Sequence, residues 1–198
     1  MVDIEGTQRF HGHLCPGLAV GIRVAQIALR EIGPHSADEE IVAIVETDMC
    51  GVDAIQYLTG CTFGKGNMIH LDYGKNAFTF VRRSDGKAIR IVLRHDALGE
   101  PKPERESMVA RVRSGQAAPE EIAQYQALRS ERLEQILHAP EERLFEVRPV
   151  QPRVPRQARV LDSVLCDECG EMTMETRTRR FQGRMLCIPC FEAVERRL

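Results

Sequence analysis

The chain has 198 residues, of which 43% are hydrophobic and 28% charged, and its formal net charge is -2. These values are typical of a soluble protein and argue against a general nucleic-acid binder. The sequence lacks an apolar stretch as long as a membrane helix, and its first residues lack the basic start and apolar centre of a secretory signal. We therefore expect a cytoplasmic location, where cysteines more often serve as ligands or catalysts than as disulfides.

The first third of the chain combines helix and strand patterns. Apolar residues predict a mostly buried helix that follows Pro16 and ends at Gly33. The β-branched residues 40–47 predict a central strand. A short helix is expected over residues 51–58, with Gly60 as its stop signal.

The middle of the chain begins with strand patterns and then becomes helical. Alternating apolar residues predict strands near residues 68–73, and a hairpin whose strands lie near 78–80 and 87–95. Charged helices are expected over residues 104–138, with a break between Ser114 and Pro119. The sequence LFEVRPV at residues 144–150 predicts one more strand.

The sequence indicates an α+β fold with a mixed sheet and helices, followed by a small C-terminal treble-clef zinc finger. The expected parts are an α+β core with a His/Cys cleft at 1–148, a proline-rich linker at 149–157 and the finger at 158–198.

Four cysteines in the last part have the spacing of a zinc site. Cys166 and Cys169 form one Cys-x-x-Cys pair, and Cys187 and Cys190 form the second pair. Two such pairs on tight turns, joined by a hairpin, place four thiolates around one tetrahedral ion. We expect a structural zinc with a closed shell, in preference to two disulfides.

A second group of candidate ligands lies near the start of the chain. His11, His13 and Cys15 occupy alternate positions, so an extended segment would place them on one face. Asp48 and Cys50 follow the predicted central strand and precede the next helix, and this is where α/β arrangements commonly place sites. The predicted cleft therefore combines these five residues.

Cys61 lies one helix later and is expected to close the same cleft. The alternative for each cysteine taken singly is that of a small buried hydrophobic residue. A helix N-terminus and a neighbouring imidazole are expected to lower the thiol pKa of Cys15 and Cys50 below about 8.5. The carboxylates of Glu46 and Asp48 oppose this effect.

Two motifs carry a resemblance to a known family. FHGHLCPGLAVGIR and the later ETDMCGVDAIQYLTGCTFGKGN closely resemble the family of the E subunit of formylmethanofuran dehydrogenase, many of whose members also carry a C-terminal treble-clef finger. The resemblance implies association with a molybdenum or tungsten enzyme that fixes carbon dioxide. It also implies a metal-binding cleft in an intertwined dimer. The implied cleft residues are His13, Cys15, Cys50 and Cys61, with His11 and Asp48 beside them.

Two hypotheses about function follow. The first is a metal-binding subunit or accessory of a molybdenum- or tungsten-type redox enzyme, in which Cys15 and Cys50 bind zinc, nickel or iron or take a catalytic role. The second is a dimeric metal-sensing or adaptor protein whose finger docks a protein or nucleic-acid partner. We expect a homodimer and a larger redox complex as partners, and neither a membrane nor nucleic acid.

Overall fold

The computed structural model of the chain describes residues 2–99 and 103–196, without the side chains of residues 103–106. The chain divides into two units at the bond between Gln157 and Ala158. The elements of the first unit are, in chain order, α1 (Ile4–His11), α2 (Pro16–Glu31), β1 (Ile41–Val45), α3 (Gly51–Thr59), β2 (Met68–His70), β3 (Ala77–Arg82), β4 (Ala88–Leu93), α4 (Pro103–Arg113), α5 (Pro119–His138), α6 (Glu141–Leu144) and β5 (Phe145–Pro149).

Among the described residues, five strands of the first unit form one mixed sheet in the order β2-β1-β3-β4-β5. Strand β1 runs parallel to β2, with Ala43 opposite Met68, and antiparallel to β3, with Ala43 opposite Phe80. The remaining neighbours are antiparallel. The parallel pair is joined by a crossover that contains α3, as a parallel connection requires. The predicted α+β class with a mixed sheet is confirmed.

The core of the first unit lies between the sheet and α2. Phe78 and Phe80 project from β3 and belong to the same buried cluster as Val24 and Ile27 of α2. Helix α2 is buried on most of its faces, so its sequence is apolar nearly all round. This burial fixes the position of the α2 N-terminus, where the candidate site begins.

Helices α2 and α3 approach each other through glycines. A Cβ added at Gly21 would lie 2.2 Å from the carbonyl oxygen of Gly51. A Cβ at Gly17 would lie 3.2 Å from the Cβ of Cys50. The two helix N-termini can therefore lie side by side only because these positions lack side chains.

Arg23 joins α2 to the C-terminal end of α5. Its side chain is 8% exposed, and its guanidinium donates to the carbonyls of Leu137, of Ala139 at 2.9 Å and of Ile136 at 3.4 Å. The last carbonyls of a helix have no partner within the helix. The buried cation therefore satisfies the end of α5 and orders it against the core.

The proline-rich segment after β5 is tied to the first unit. Pro149 still pairs within the sheet as the last residue of β5. Arg83 donates to the carbonyls of Pro155 and, at 3.2 Å, of Arg156, and it pairs with Glu39 at 3.0 Å. The predicted linker is thus mostly exposed but held to the core at Pro155 and Arg156.

The second unit consists of two short hairpins and a helix. Its elements are β6 (Ser163–Leu165), β7 (Met172–Met174), a 3₁₀ turn (Glu175–Arg177), β8 (Thr178–Phe181), β9 (Arg184–Cys187) and α7 (Ile188–Glu195). The β8–β9 turn places Gln182 and Gly183 at φ 49° and 80°, as a two-residue hairpin turn requires. Helix α7 begins at Ile188, directly after Cys187, the first cysteine of the second Cys-x-x-Cys pair. No helix in the described part of the chain combines the length and apolar character that crossing a membrane requires.

Candidate metal centres

The first unit brings three candidate ligands together. One donor atom from each of His11, Cys15 and Cys50 lies within 4.8 Å of the other two. The His11 Nε2 and the Cys15 Sγ are 4.0 Å apart. We call these three residues the core donor group.

His11 is the last residue of α1, and α1 is held against α3. The Asp3 carboxylate caps α1 by accepting from the Gly6 N–H at 2.7 Å, and it also accepts from the Tyr57 hydroxyl at 2.8 Å. The rings of Phe10 and Tyr57 lie 5.7 Å apart. These contacts fix the end of α1, and with it the position of His11.

The expectation of an extended segment through the three N-terminal ligands is wrong. The chain is helical up to His11, and Gly12 then ends α1 in the left-handed region at φ 94°. His13 lies beyond this turn and is exposed, with its ring 4.8 Å from the ring of His11. The alternate spacing of His11, His13 and Cys15 therefore does not determine which of these side chains lie together.

Cys15 lies at the N-cap of α2 and is 6% exposed. Its Sγ accepts a hydrogen bond from the Leu18 N–H at 3.3 Å, and Pro16 occupies the first turn, where a missing N–H costs nothing. A sulfur at this position receives both a backbone donor and the positive end of the helix dipole. The site therefore suits a thiolate.

Cys50 lies at the N-cap of α3 and makes no side-chain capping hydrogen bond. Burial and a hydrogen bond with the Cys15 side chain raise the pKa of the Cys50 thiol. The expected lowering of the Cys50 pKa is therefore wrong for the metal-free protein, because burial disfavours the thiolate and the neighbouring Cys15 side chain adds to this effect. A cation between them would reverse the effect by stabilising both thiolates.

Asp53 is a partner of the core donor group that the sequence does not predict. Its Oδ2 lies 2.7 Å from the Nδ1 of His11, whose side chain is 12% exposed. The available signal was the spacing Cys-x-x-Asp, since residues three apart in a helix share a face. The first turn of α3 thus presents both Cys50 and Asp53 to the donor group.

Two other predicted cleft residues lie elsewhere. Asp48 is exposed in the loop before α3. Cys61 is fully buried, its Sγ donates to the Ile41 carbonyl at 3.5 Å, and burial raises the pKa of its thiol. Cys61 follows the left-handed turn at Gly60 that ends α3, and it belongs to the buried cluster formed by α2 and the sheet, so it packs as a core residue. The carboxylate of Glu46 forms an ion pair with Arg90 at 2.9 Å and is not part of the core donor group.

The core donor group fits a thiolate-preferring metal ion. A tetrahedral ion bound at about 2.3 Å by sulfur and about 2.1 Å by nitrogen holds these atoms about 3.6 to 3.8 Å apart. The 4.0 Å between His11 Nε2 and Cys15 Sγ is within a small side-chain rotation of that value. Three protein ligands would leave one coordination position for another ligand.

The second unit gathers all four of its cysteines. The sulfurs of Cys166, Cys169, Cys187 and Cys190 lie within 4.8 Å of one another, and those of Cys169 and Cys187 are 3.9 Å apart. The Cys187 N–H donates to the Cys166 Sγ at 3.3 Å. Four sulfurs at these separations fit the closed tetrahedral shell of a structural zinc.

The metal-free thiols of this cluster are electrostatically unequal. Backbone N–H groups, that of Cys169 foremost, lower the pKa of Cys166 to about 6. A hydrogen bond with Cys187 raises the pKa of Cys190 to about 12. One sulfur therefore carries negative charge while another keeps its proton, and a bound dication would displace that proton.

Comparisons with known proteins agree with this division. A family model described as FmdE, molybdenum formylmethanofuran dehydrogenase operon, matches residues 10–146. The model of the prokaryotic dksA/traR C4-type zinc finger matches residues 161–196. The first match contains the core donor group, and the second contains the four clustered cysteines.

Two similar proteins extend over nearly the whole chain. A probable S-adenosyl-L-methionine-binding protein of Archaeoglobus fulgidus is 34% identical over an alignment of 190 residues that covers 92% of this chain and 50% of that protein. The chain thus spans about half the length of this curated relative. The crystal structure of an FmdE-like protein of the tungsten formylmethanofuran dehydrogenase type, from Syntrophus aciditrophicus, is similar with a TM-score of 0.65 at 24% identity, covering 96% of this chain and 90% of that chain.

The structural similarity shows a shared fold, and the family match shows descent. The family match covers the elements that carry the core donor group, from the end of α1 to β5. The chain belongs to the FmdE family and carries a C4 zinc finger of the dksA/traR type after its core.

Proposed function

We propose that the first unit binds one thiolate-preferring transition-metal ion, zinc, nickel or iron, and that the chain is a metal-binding accessory of a molybdenum- or tungsten-type redox enzyme system. The observation that carries the proposal is the core donor group itself. His11, Cys15 and Cys50 come from three different elements, yet their donor atoms lie within 4.8 Å of one another. Such convergence of soft ligands is typical of a metal site.

Each residue of the group has a distinct task. Cys15 and Cys50 supply thiolates at the N-termini of α2 and α3, where the helix dipoles offset part of their negative charge. His11 supplies a neutral nitrogen, which limits the charge of the site. A bound ion would supply a Lewis-acidic centre with one exchangeable coordination position.

The role of an accessory, as opposed to the redox subunit, is supported by the use of the seven cysteines. Cys15 and Cys50 belong to the core donor group, Cys61 lies in the hydrophobic core, and the other four form the finger cluster. An iron–sulfur cluster takes four cysteine ligands of its own. We therefore expect the electron-carrying centres of the enzyme on other subunits.

The association with a redox enzyme is supported by the descriptions of similar proteins alone. The family description refers to a molybdenum formylmethanofuran dehydrogenase operon, and the Syntrophus protein is described as FmdE-like, of the tungsten enzyme. In this proposal the zinc of the finger has a structural role, and the ion of the core donor group has the open coordination position.

A Co²⁺ titration of the full chain, with the finger loaded with zinc, tests the core site. We expect thiolate-to-cobalt charge-transfer bands that saturate at one Co²⁺ per chain and that Cys50→Ala abolishes. The matched control is Cys61→Ala, which also removes one buried cysteine but lies outside the core donor group. Absent bands in the wild type, or equal bands in Cys50→Ala, would contradict the proposal.

A further inference from the structure

We infer that Asp53 is a positioning residue that fixes the tautomer and orientation of His11, so that its Nε2 faces the two sulfurs. The inference rests on the proposed function, because it concerns the donor set of the core metal. It assigns a role to a residue that is not itself a ligand.

The geometry determines which atom donates. The Asp53 Oδ2 lies 2.7 Å from the His11 Nδ1, and a carboxylate has no hydrogen to give. The Nδ1 therefore carries the hydrogen and donates it to Asp53. The second carboxylate oxygen lies 3.4 Å from the Gln56 side-chain nitrogen, on the next turn of α3.

The position of that hydrogen decides what His11 offers to a cation. In the neutral ring, a hydrogen on Nδ1 leaves the lone pair on Nε2, which lies 4.0 Å from the Cys15 Sγ. The opposite tautomer would direct an N–H at the sulfurs and leave no lone pair for an ion there. A carboxylate on the far side of the ring also fixes the plane in which the imidazole lies.

Two features, one of α3 and one of the His11–Asp53 pair, bear on this role. Cys50 and Asp53 lie three residues apart, so one helical turn supplies both a thiolate and the partner of the histidine. The His11 side chain is 12% exposed and that of Asp53 is 39% exposed, so the carboxylate lies on the solvent side of the ring and the imidazole on the buried side. Asp53 is also a first-turn acid that interacts with the helix dipole, and the test must separate that contribution.

The experiment uses the full chain with zinc in the finger and compares the wild type with Asp53→Ala, Asp53→Asn and Asp53→Glu. Long-range ¹H–¹⁵N NMR of the metal-free core reports the His11 tautomer, and competition with a chelator reports the Co²⁺ affinity of the core. We expect an Nδ1–H ring in the wild type, and loss of that preference in Asp53→Ala. The Co²⁺ affinity of Asp53→Ala should fall by about 10- to 100-fold, and Asp53→Glu should recover part of it.

The matched control is Glu5→Ala, which removes a first-turn acid of α1 with a side chain 90% exposed. It should change neither the tautomer nor the affinity. If Asp53→Ala does not fold, the isosteric Asp53→Asn takes its place, because its amide can donate to Nδ1 and favour the opposite tautomer. An unchanged tautomer and affinity in folded Asp53→Ala, or an unchanged affinity in Asp53→Asn where Asp53→Ala does not fold, would overturn the inference.

The two proposals fail in different ways. A wild-type core that binds no Co²⁺ but keeps the Nδ1–H ring would contradict the proposed function and leave the His11–Asp53 pairing intact. A wild-type core that binds Co²⁺ only as tightly as Asp53→Ala does would contradict the positioning role and leave the metal site intact.

Discussion

The three cysteines of the first unit lie in three different environments. Cys15 accepts a backbone hydrogen bond at a helix N-terminus, Cys50 shares its space with Cys15, and Cys61 packs in the hydrophobic core. Their reactivity should differ for these physical reasons. The differences make them internal probes of the core donor group.

Alkylation of the metal-free protein should distinguish Cys50 from Cys61. Burial and the neighbouring Cys15 side chain raise the pKa of Cys50 above its ordinary value of about 8.5, so its labelling rate should keep rising with pH above the point at which a free cysteine is half ionised. Zinc should protect Cys50 and Cys15, because a metal-bound sulfur is a poorer nucleophile. Mass spectrometry of timed samples measures each site.

Cys61 is the control in the same samples, because its Sγ is buried and outside the donor group. Its slow labelling should be the same with and without zinc. If zinc left Cys50 as reactive as before, the metal-site interpretation of this residue would be wrong.

At this scale the sequence predicts residue types better than partners. The motif around Cys15 and Cys50 identifies these two residues as candidate ligands because both directly precede a helix signal. It does not mark Asp53, whose role depends on the Nδ1 of a histidine 42 positions away. The motif also predicts His13 and Asp48 as cleft residues, but both are exposed. His13 lies beyond the left-handed turn at Gly12, and Asp48 lies in the loop before α3.

At the scale of elements, the site depends on the close approach of α2 and α3. Gly21→Ala would place a Cβ 2.2 Å from the Gly51 carbonyl oxygen, and backbone atoms can relieve this overlap only by moving the helices apart. We expect a loss of about 1–3 kcal/mol in the free energy of unfolding of the core unit. The Co²⁺ affinity should fall as well, because Cys15 and Cys50 separate.

Urea unfolding followed by far-UV circular dichroism measures the loss. Gly64→Ala is the control, since nothing lies within 4 Å of its added Cβ. Equal unfolding curves for the two variants would show that the α2–α3 contact has room for a methyl group, against this account.

We expect the cohesion of the finger to come mainly from a bound zinc ion. Its buried cluster consists of Cys166, Leu186 and Cys187, so two of its three residues are themselves ligands. Metal binding supplies about 10–16 kcal/mol in such small units. Cys187→Ser should therefore lose one zinc per chain and make the segment beyond residue 157 sensitive to protease.

Limited proteolysis with zinc analysis checks this expectation, and Cys61→Ala serves as the control for loss of one cysteine. A Cys187→Ser chain that retains its zinc and a resistant tail would contradict it.

The elements differ in how far local sequence determines them. The finger ligands follow from spacing, because two short Cys-x-x-Cys turns and a hairpin are local structures. Helix α1 is not predicted, because contacts distant in sequence hold it, such as the Asp3–Tyr57 hydrogen bond. Similarly, the core position of Cys61 follows from its contact with Ile41, twenty residues away.

At the scale of the whole molecule, helix α5 suggests a partner. Among its twenty described residues, Ile136 is the buried one, while Ile122 is 39% exposed. A long helix with so little burial in one chain is expected to pack against another surface. We predict a homodimer, measured as a mass of two chains by sedimentation at micromolar concentration. A monomer mass over that range would contradict the prediction.

The central claim is that each chain holds two metal ions, one in the core donor group and one in the finger cluster. Elemental analysis of the purified full chain, saturated with zinc and freed of excess metal, tests it most directly. We predict two ions per wild-type chain and one in each of Cys50→Ala and Cys187→Ser, while Cys61→Ala keeps two. One ion per wild-type chain, unchanged by Cys50→Ala, would contradict the account.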